Sequence, residues 1–241
     1  MGSSAQRQPF ATTQWSVIVA AARQSSTQSR RALAALCEAY WYPLYAFVRR
    51  KGYQTAEAQD LTQAFFTELL EKERLQLADQ QRGKFRSFLL ASLNHFLANQ
   101  WRDAHTQKRG GSVHKLSLDF QAGESRYGLE PAHEMTPERV YQRRWAMTLL
   151  EGAIERLCSE YERSGKLELF VHLKAHLGGD SLASTYQEIA KQLEMSEGAV
   201  KVAAHRLRKR CRELLREEIA QTVSAADEID DELRELFVAL E

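Results

Sequence analysis

The stretch YQEIAKQLEMSEGAVKVAAHRLRKR, residues Tyr186–Arg210, decides the fold. Ile189, Ala190 and Leu193 give one short helix a buried face. Ser196 is a capping residue for a second helix. In that helix Val200, Ala204, Leu207, Cys211 and Leu214 recur at fours and threes toward the same core. Ala190 is small where two crossing helices must approach closely. A short helix, a capped turn and a second helix together read as a helix-turn-helix. The second helix turns Glu197, Lys201, Val202, His205, Arg206, Arg208 and Lys209 outward, while Tyr186 and Ser196 lie where the two helices begin. A helix of this kind fits the major groove. Its first turns reach base edges, and later Lys and Arg side chains meet phosphates.

Helical periodicity extends on both sides of this stretch. Upstream, Thr136-Pro137-Glu138 is a cap with proline in the first turn. The pattern Trp145, Leu149, Leu150, Ala153, Ile154, Leu157 then carries a helix to about Glu162, and Leu167 to Leu177 reads as another. Downstream, Ile229, Leu233, Leu236, Phe237 and Leu240 form an amphipathic acidic segment. It reads either as completing the core of the helix-turn-helix bundle or as folding back to compete with DNA or to bind a regulator.

The first half is helical too. A short helix is predicted from Trp15 to Ala22. A longer one is predicted from Ser29 to about Lys51, with Leu33, Leu36 and Tyr40 on one face and a kink or split at Pro43. Thr55 can cap the next helix, whose face is Leu61, Phe65, Phe66, Leu69 and Leu70. After Gly83, Phe85, Phe88, Leu89, Leu93, Phe96, Leu97 and Trp101 recur at threes and fours to about His105. Between Arg109 and Met135 periodicity is lost and four glycines fall, which reads as a flexible linker. The chain is therefore expected to be all-α, in two helical bundles. The segments are an N-terminal extension 1–28, a first domain 29–108, a linker 109–135, a helix-turn-helix domain 136–222 and an acidic C-terminal extension 223–241.

The net charge of +1 conceals segregation. Arg82–Lys115 carries +6, Ala199–Arg216 another +6, and Glu217–Glu241 carries −8. Two basic blocks beside an acidic tail suit separate anionic and cationic partners better than the total suggests.

Three further segments carry a resemblance. Glu57–Leu70, EAQDLTQAFFTELL, resembles region 2.2 of bacterial RNA polymerase sigma factors. Gly83–Arg102, GKFRSFLLASLNHFLANQWR, resembles regions 2.3 and 2.4, and Ala39–Arg50, AYWYPLYAFVRR, resembles region 2.1. Tyr186–Arg210 is similar to region 4.2. With regions 2 and 4 and a short linker, the match is to the extracytoplasmic-function (ECF) group of the sigma-70 family, over about residues 29–220.

This resemblance implies a transcription initiation factor that binds core RNA polymerase and directs it to promoters. Region 2.2 of the family docks on the polymerase. The matching positions are Asp60, Leu61, Gln63, Phe66 and Thr67, although helical spacing also makes Leu61, Phe65 and Leu69 core residues. Regions 2.3 and 2.4 engage and melt the −10 element. Lys84, Arg86, Asn94, His95, Asn99, Gln100, Arg102, Lys108 and Arg109 supply charge and amide donors there, and Asn94 matches the base-capturing loop. The helical spacing of Phe85, Phe88, Phe96 and Trp101 assigns most of them to the core. The helix-turn-helix would read the −35 element through Tyr186, Ser196, Glu197, Lys201, Val202, His205, Arg206, Arg208 and Lys209. The implied partners are core RNA polymerase and promoter DNA, with an anti-sigma factor or another regulator besides.

Other chemistries find little support in the residues. Cys37, Cys158 and Cys211 are far apart and form no C-x-x-C, so neither a disulfide framework nor a cysteine zinc site is expected. His172 and His176 are four apart without a third ligand, so no metal is expected. No phosphate-binding glycine loop or nucleophile elbow occurs, so no catalytic residue, cofactor or enzymatic activity is expected. No apolar run reaches about 18 residues, which fits a cytoplasmic protein without a membrane span. A helix-turn-helix regulator acting without polymerase is the alternative, with a helical adaptor behind it.

Overall fold

The computed structural model describes residues 27–71, 84–106, 118–128, 135–177, 184–220, 222–223 and 226–241. The predicted helix Trp15–Ala22 lies outside them, as do the side chains of Leu33 and Leu36. Among the described residues there are nine α-helices and no strand. They are α1 Thr27–Arg50, α2 Thr55–Glu71, α3 Phe85–Thr106, α4 Phe120–Tyr127, α5 Pro137–Arg163, α6 Leu167–Leu173, α7 Tyr186–Gln192, α8 Glu197–Ile219 and α9 Glu228–Leu240. A 3-10 turn, Lys174–Leu177, follows α6. None of these helices is long and apolar enough to cross a membrane. The all-α class holds.

The described residues fall into two compact units. The first lies within Phe10–Thr148 and Glu218–Glu241, and the second is Leu149–Glu217.

In the first unit α1 contributes the largest share of the core among the described helices. Tyr40, Leu44, Tyr45, Phe47 and Val48 are all buried. They flank Pro43, and the helix runs from Thr27 to Arg50 with the proline inside it, so of the expected kink or split the split does not occur. An interior proline costs roughly 3 kcal/mol. Burying a large apolar side chain returns about 1.5–3 kcal/mol, and α1 buries several on each side of the proline. Phe85 of α3 meets Tyr40 edge-on at 5.4 Å, and Phe65 of α2 meets Phe96 of α3 at 5.7 Å. Tyr141, near the start of α5, packs on Phe47.

The segment read as linker contains α4. Asp119 caps it through Ala122 N–H at 3.0 Å, and Phe120 packs against Trp41 and Tyr45. The helix has only eight residues, so tertiary contacts hold it rather than propensity. Gly123 permits the close approach, because a Cβ there would sit 2.7 Å from the Trp41 ring. Gly123→Ala is expected to cost about 1–3 kcal/mol by overpacking, read as a lower thermal midpoint and an altered Trp41 emission.

Glu124 anchors the same helix. It accepts from Arg49 Nε at 3.1 Å and Nη2 at 2.8 Å, from Thr55 Oγ1 at 3.2 Å and from the Tyr45 hydroxyl. Burial pushes its carboxyl up, but the bonds from Arg49 and Tyr45 outweigh that and hold it below its usual value. A carboxyl depressed in the folded chain contributes stability above its unfolded pKa of about 4.3 and loses it as pH falls further. Trp41 emission should therefore report release of α4 below about pH 4, and Glu124→Gln should remove that step. A step that persists in the variant would assign it to another group.

The acidic tail forms α9, and it belongs to the first unit rather than completing the helix-turn-helix core. Leu233 and Leu236 are buried, whereas Phe237, placed on the predicted apolar face, is largely exposed. Glu232 lies on the docked face of α9 with Leu233 and Leu236. It is 1% exposed and pairs with Arg86 of α3.

Candidate nucleic-acid interface

In the second unit the helix-turn-helix is built by local caps. The Thr185 hydroxyl accepts from Glu188 N–H at 3.3 Å, and Glu188 Oε2 accepts from Thr185 N–H at 2.7 Å, a capping box that starts α7. At its end Met195 N–H donates to Ala190 O at 2.9 Å, with Glu194 in the left-handed region at φ 52°. Ser196 Oγ then accepts from Ala199 N–H at 3.2 Å to start α8. Ile189 and Ala190 of α7 and Val200, Ala204, Leu207, Cys211 and Leu214 of α8 are buried, as their spacing predicts.

The opposite face of α8 is solvated. Glu197, Lys201, Val202, His205, Arg206, Arg208 and Lys209 are all exposed, as is Ser196, while Tyr186 is half-buried. Val202 is 50% exposed, an apolar group in a polar stripe. Lys201 Nζ pairs with Glu197 Oε1 at 2.7 Å, one turn earlier. The Arg208 guanidinium donates to the Tyr186 hydroxyl and reaches the His176 carbonyl at 3.5 Å. The Tyr186 ring lies 4.7 Å from that of His176. This shelf holds Arg208 at the foot of α7.

Not every basic residue of the block is available. Arg210 bonds Glu160 at 2.8 and 2.9 Å, Glu213 at 3.3 Å and Glu217 at 3.1 Å. The Arg210 bonds hold the Glu160 carboxyl below its usual value. The +6 of this segment thus divides into an outward stripe and an internal brace.

In the first unit α3 presents one solvated stripe. Ala91, His95, Ala98, Trp101 and Arg102 are exposed along it, with Asn94 and Asn99 half-buried, whereas Gln100 is exposed on the other side of the helix, in line with Leu93 and Phe96. The Arg102 guanidinium donates to Oδ1 of the Asn99 side chain. Of the four aromatic residues weighed, Phe85 and Phe96 are buried and Phe88 is half-buried, but Trp101 is 64% exposed. The signal was present in the sequence, since Trp101 stands seven residues from Asn94 and so on the same face. Lys108 and Arg109 lie outside the described residues.

Arg86 is placed differently from its expected role. It is 4% exposed, on the inner face with Leu89 and Leu93. Its Nε and Nη2 hold Glu232 at 2.9 and 3.0 Å, and its Nη1 holds Gln142 Oε1 at 2.9 Å. The guanidinium lies 4.4 Å from the Trp145 ring centroid, and Tyr141 O–H donates to Arg86 O at 2.9 Å. Lys84 Nζ pairs with Glu232 and, at 2.7 Å, with Glu235. As the chain is folded here, Arg86 is not a surface contact, because α9 covers it.

On α2, Asp60 is exposed and Leu61, Gln63 and Thr67 are half-buried. Thr67 Oγ1 donates back to Gln63 O at 3.0 Å. Phe66 is fully buried, its ring 5.6 Å from that of Phe65, so it serves the core rather than an exposed docking face.

The family model described as ECF sigma factor matches residues 19–217. No curated protein and no solved structure matches the chain.

Proposed function

The chain belongs to the ECF sigma factor family of RNA polymerase-associated, non-enzymatic transcription initiation factors, and on that premise we propose a division of labour between its two units. The second unit reads the −35 element with α8. Glu197, Lys201, Val202, His205 and Arg206 face base edges, and Val202 suits a thymine methyl. Tyr186, Ser196, Arg208 and Lys209 face the phosphates that fix register.

The first unit engages and melts the −10 element along α3. Single strands need cationic donors and a surface for stacking. Asn94, His95, Asn99 and Arg102 supply the polar stripe, Trp101 supplies a ring on it, and Gln100 adds an amide on the other side of the helix. Lys108 and Arg109 extend the charge in sequence. Asp60, Gln63 and Thr67, with the edge of Leu61, form the face of α2 for core polymerase. Two DNA elements held by one chain gain effective concentration. An anti-sigma factor or another regulator would act on one of these faces.

The observation that carries this reading is the solvated polar stripe of α8 on a fully capped helix-turn-helix, within a chain that the family match covers from 19 to 217. The test compares promoter binding with and without core polymerase, using the full chain and Asp60→Ala/Gln63→Ala. The expected result is polymerase-dependent promoter recognition that the variant weakens about tenfold, a loss of about 1.4 kcal/mol. Equal promoter binding without polymerase, untouched by the variant, would favour a regulator that acts alone.

A further inference from the structure

We propose that the Lys84–Arg86 end of α3 is a phosphodiester-binding site which α9 occupies in cis, so that the free chain masks part of its own DNA surface. This deepens the −10 assignment above and rests on it.

The occupant is visible. Glu232 Oε2 and Oε1 take Arg86 Nε and Nη2 at 2.9 and 3.0 Å, the two-pronged fork that guanidinium offers equally to carboxylate or phosphate. Lys84 closes on the same Glu232 and on Glu235. The two carboxylates lie one helical turn apart on α9 and present anionic oxygens to adjacent cations of α3.

The fork does not depend on α9 for its position. Gln142 holds Arg86 Nη1 at 2.9 Å, the Trp145 ring underlies the guanidinium, and Tyr141 fixes the backbone carbonyl. With α9 gone, Nε and Nη2 still point to where Glu232 was.

The chemistry of the contact also argues against a purely structural clasp. A buried ion pair is weak evidence for stability, since apolar residues of similar volume often serve as well or better. What a carboxylate adds over leucine is exchange for another anion. The rest of α9 is only partly engaged, with Phe237 and Val238 exposed beyond Leu236. The −8 charge of Glu217–Glu241 gives the chain an internal competitor for its own basic block.

The test uses the full chain and a fluorescein-labelled, mixed-sequence single-stranded DNA of about 20 nucleotides, followed by anisotropy across a salt series. Glu232→Gln/Glu235→Gln is expected to bind about tenfold tighter than the parent, with a salt slope steeper by about one to two phosphate contacts. Adding Lys84→Ala should remove most of that gain. Because Glu235 is half exposed, Glu235→Gln alone keeps the fold and should give about a threefold gain even if the double variant unfolds. A folded Glu235→Gln that binds as the parent does overturns the mask. If the parent with core polymerase still initiates specifically in that case, only the mask falls. If no variant binds and the holoenzyme does not initiate, the functional assignment falls with it.

Discussion

Glu232→Ala lowers the thermal midpoint of the first unit by roughly 6–12 °C, the equivalent of about 3 kcal/mol in a unit of this size. The reason is electrostatic. Arg86 is 4% exposed, and its Nε and Nη2 both donate to Glu232, with Nη2 reaching Glu235 as well. Removing the carboxylate leaves a buried guanidinium with Gln142, the Trp145 face and an approach from Glu235. Those partial partners place the loss at the lower end of the 3–5 kcal/mol typical of a broken buried pair. Removing both charges behaves differently. Arg86→Met/Glu232→Leu should recover most of the loss, because neither charge then has to be desolvated. Amide exchange locates the effect, with Glu232→Ala speeding exchange first in α9. A loss below about 1 kcal/mol would mean that the pair is as weak as a surface one.

On the −35 role proposed for α8, Arg206→Ala in its exposed stripe is expected to weaken recognition of the matched sequence by about 1–3 kcal/mol, roughly five- to 150-fold, and to relax preference at one base position. Lys209→Ala makes the contrast. Standing one turn further on, it should weaken all sequences alike and reduce the salt slope by about one. Both side chains are exposed on a helix whose opposite face is buried, so neither substitution disturbs the core. Binding measured on matched and mismatched duplexes across a salt series separates the two roles. Equal losses on both duplexes for Arg206→Ala would move it to the phosphate-contacting group.

What the sequence made legible, and what it hid, follows from the range of each interaction. The caps at Thr136 and Ser196 form where the sequence puts them, because a cap satisfies backbone groups within three residues of itself. The inward stripe of α8 holds residue by residue for the same reason. Helix α4 was not legible. It is short, contains Gly123, and exists through Trp41, Tyr45 and Arg49, some eighty residues earlier. Pro43 does not split its helix for the same reason, because tertiary burial outweighs a local break. Periodicity showed that α9 had an apolar face but not which helices would receive it. That contact includes Glu232 meeting Arg86, 146 residues apart, which no local pattern could show. Arg86 itself sits on the 86-89-93 stripe, so its helical position pointed inward although its charge suggested a surface.

The central claim is that this chain confers promoter choice on RNA polymerase. Its most direct test is transcription by core polymerase reconstituted with the full chain on a pool of promoter fragments, with transcript 5′ ends mapped. The predicted result is discrete start sites, absent with core polymerase alone, lying downstream of two recurring elements. The contradicting result is a folded chain that yields no specific initiation.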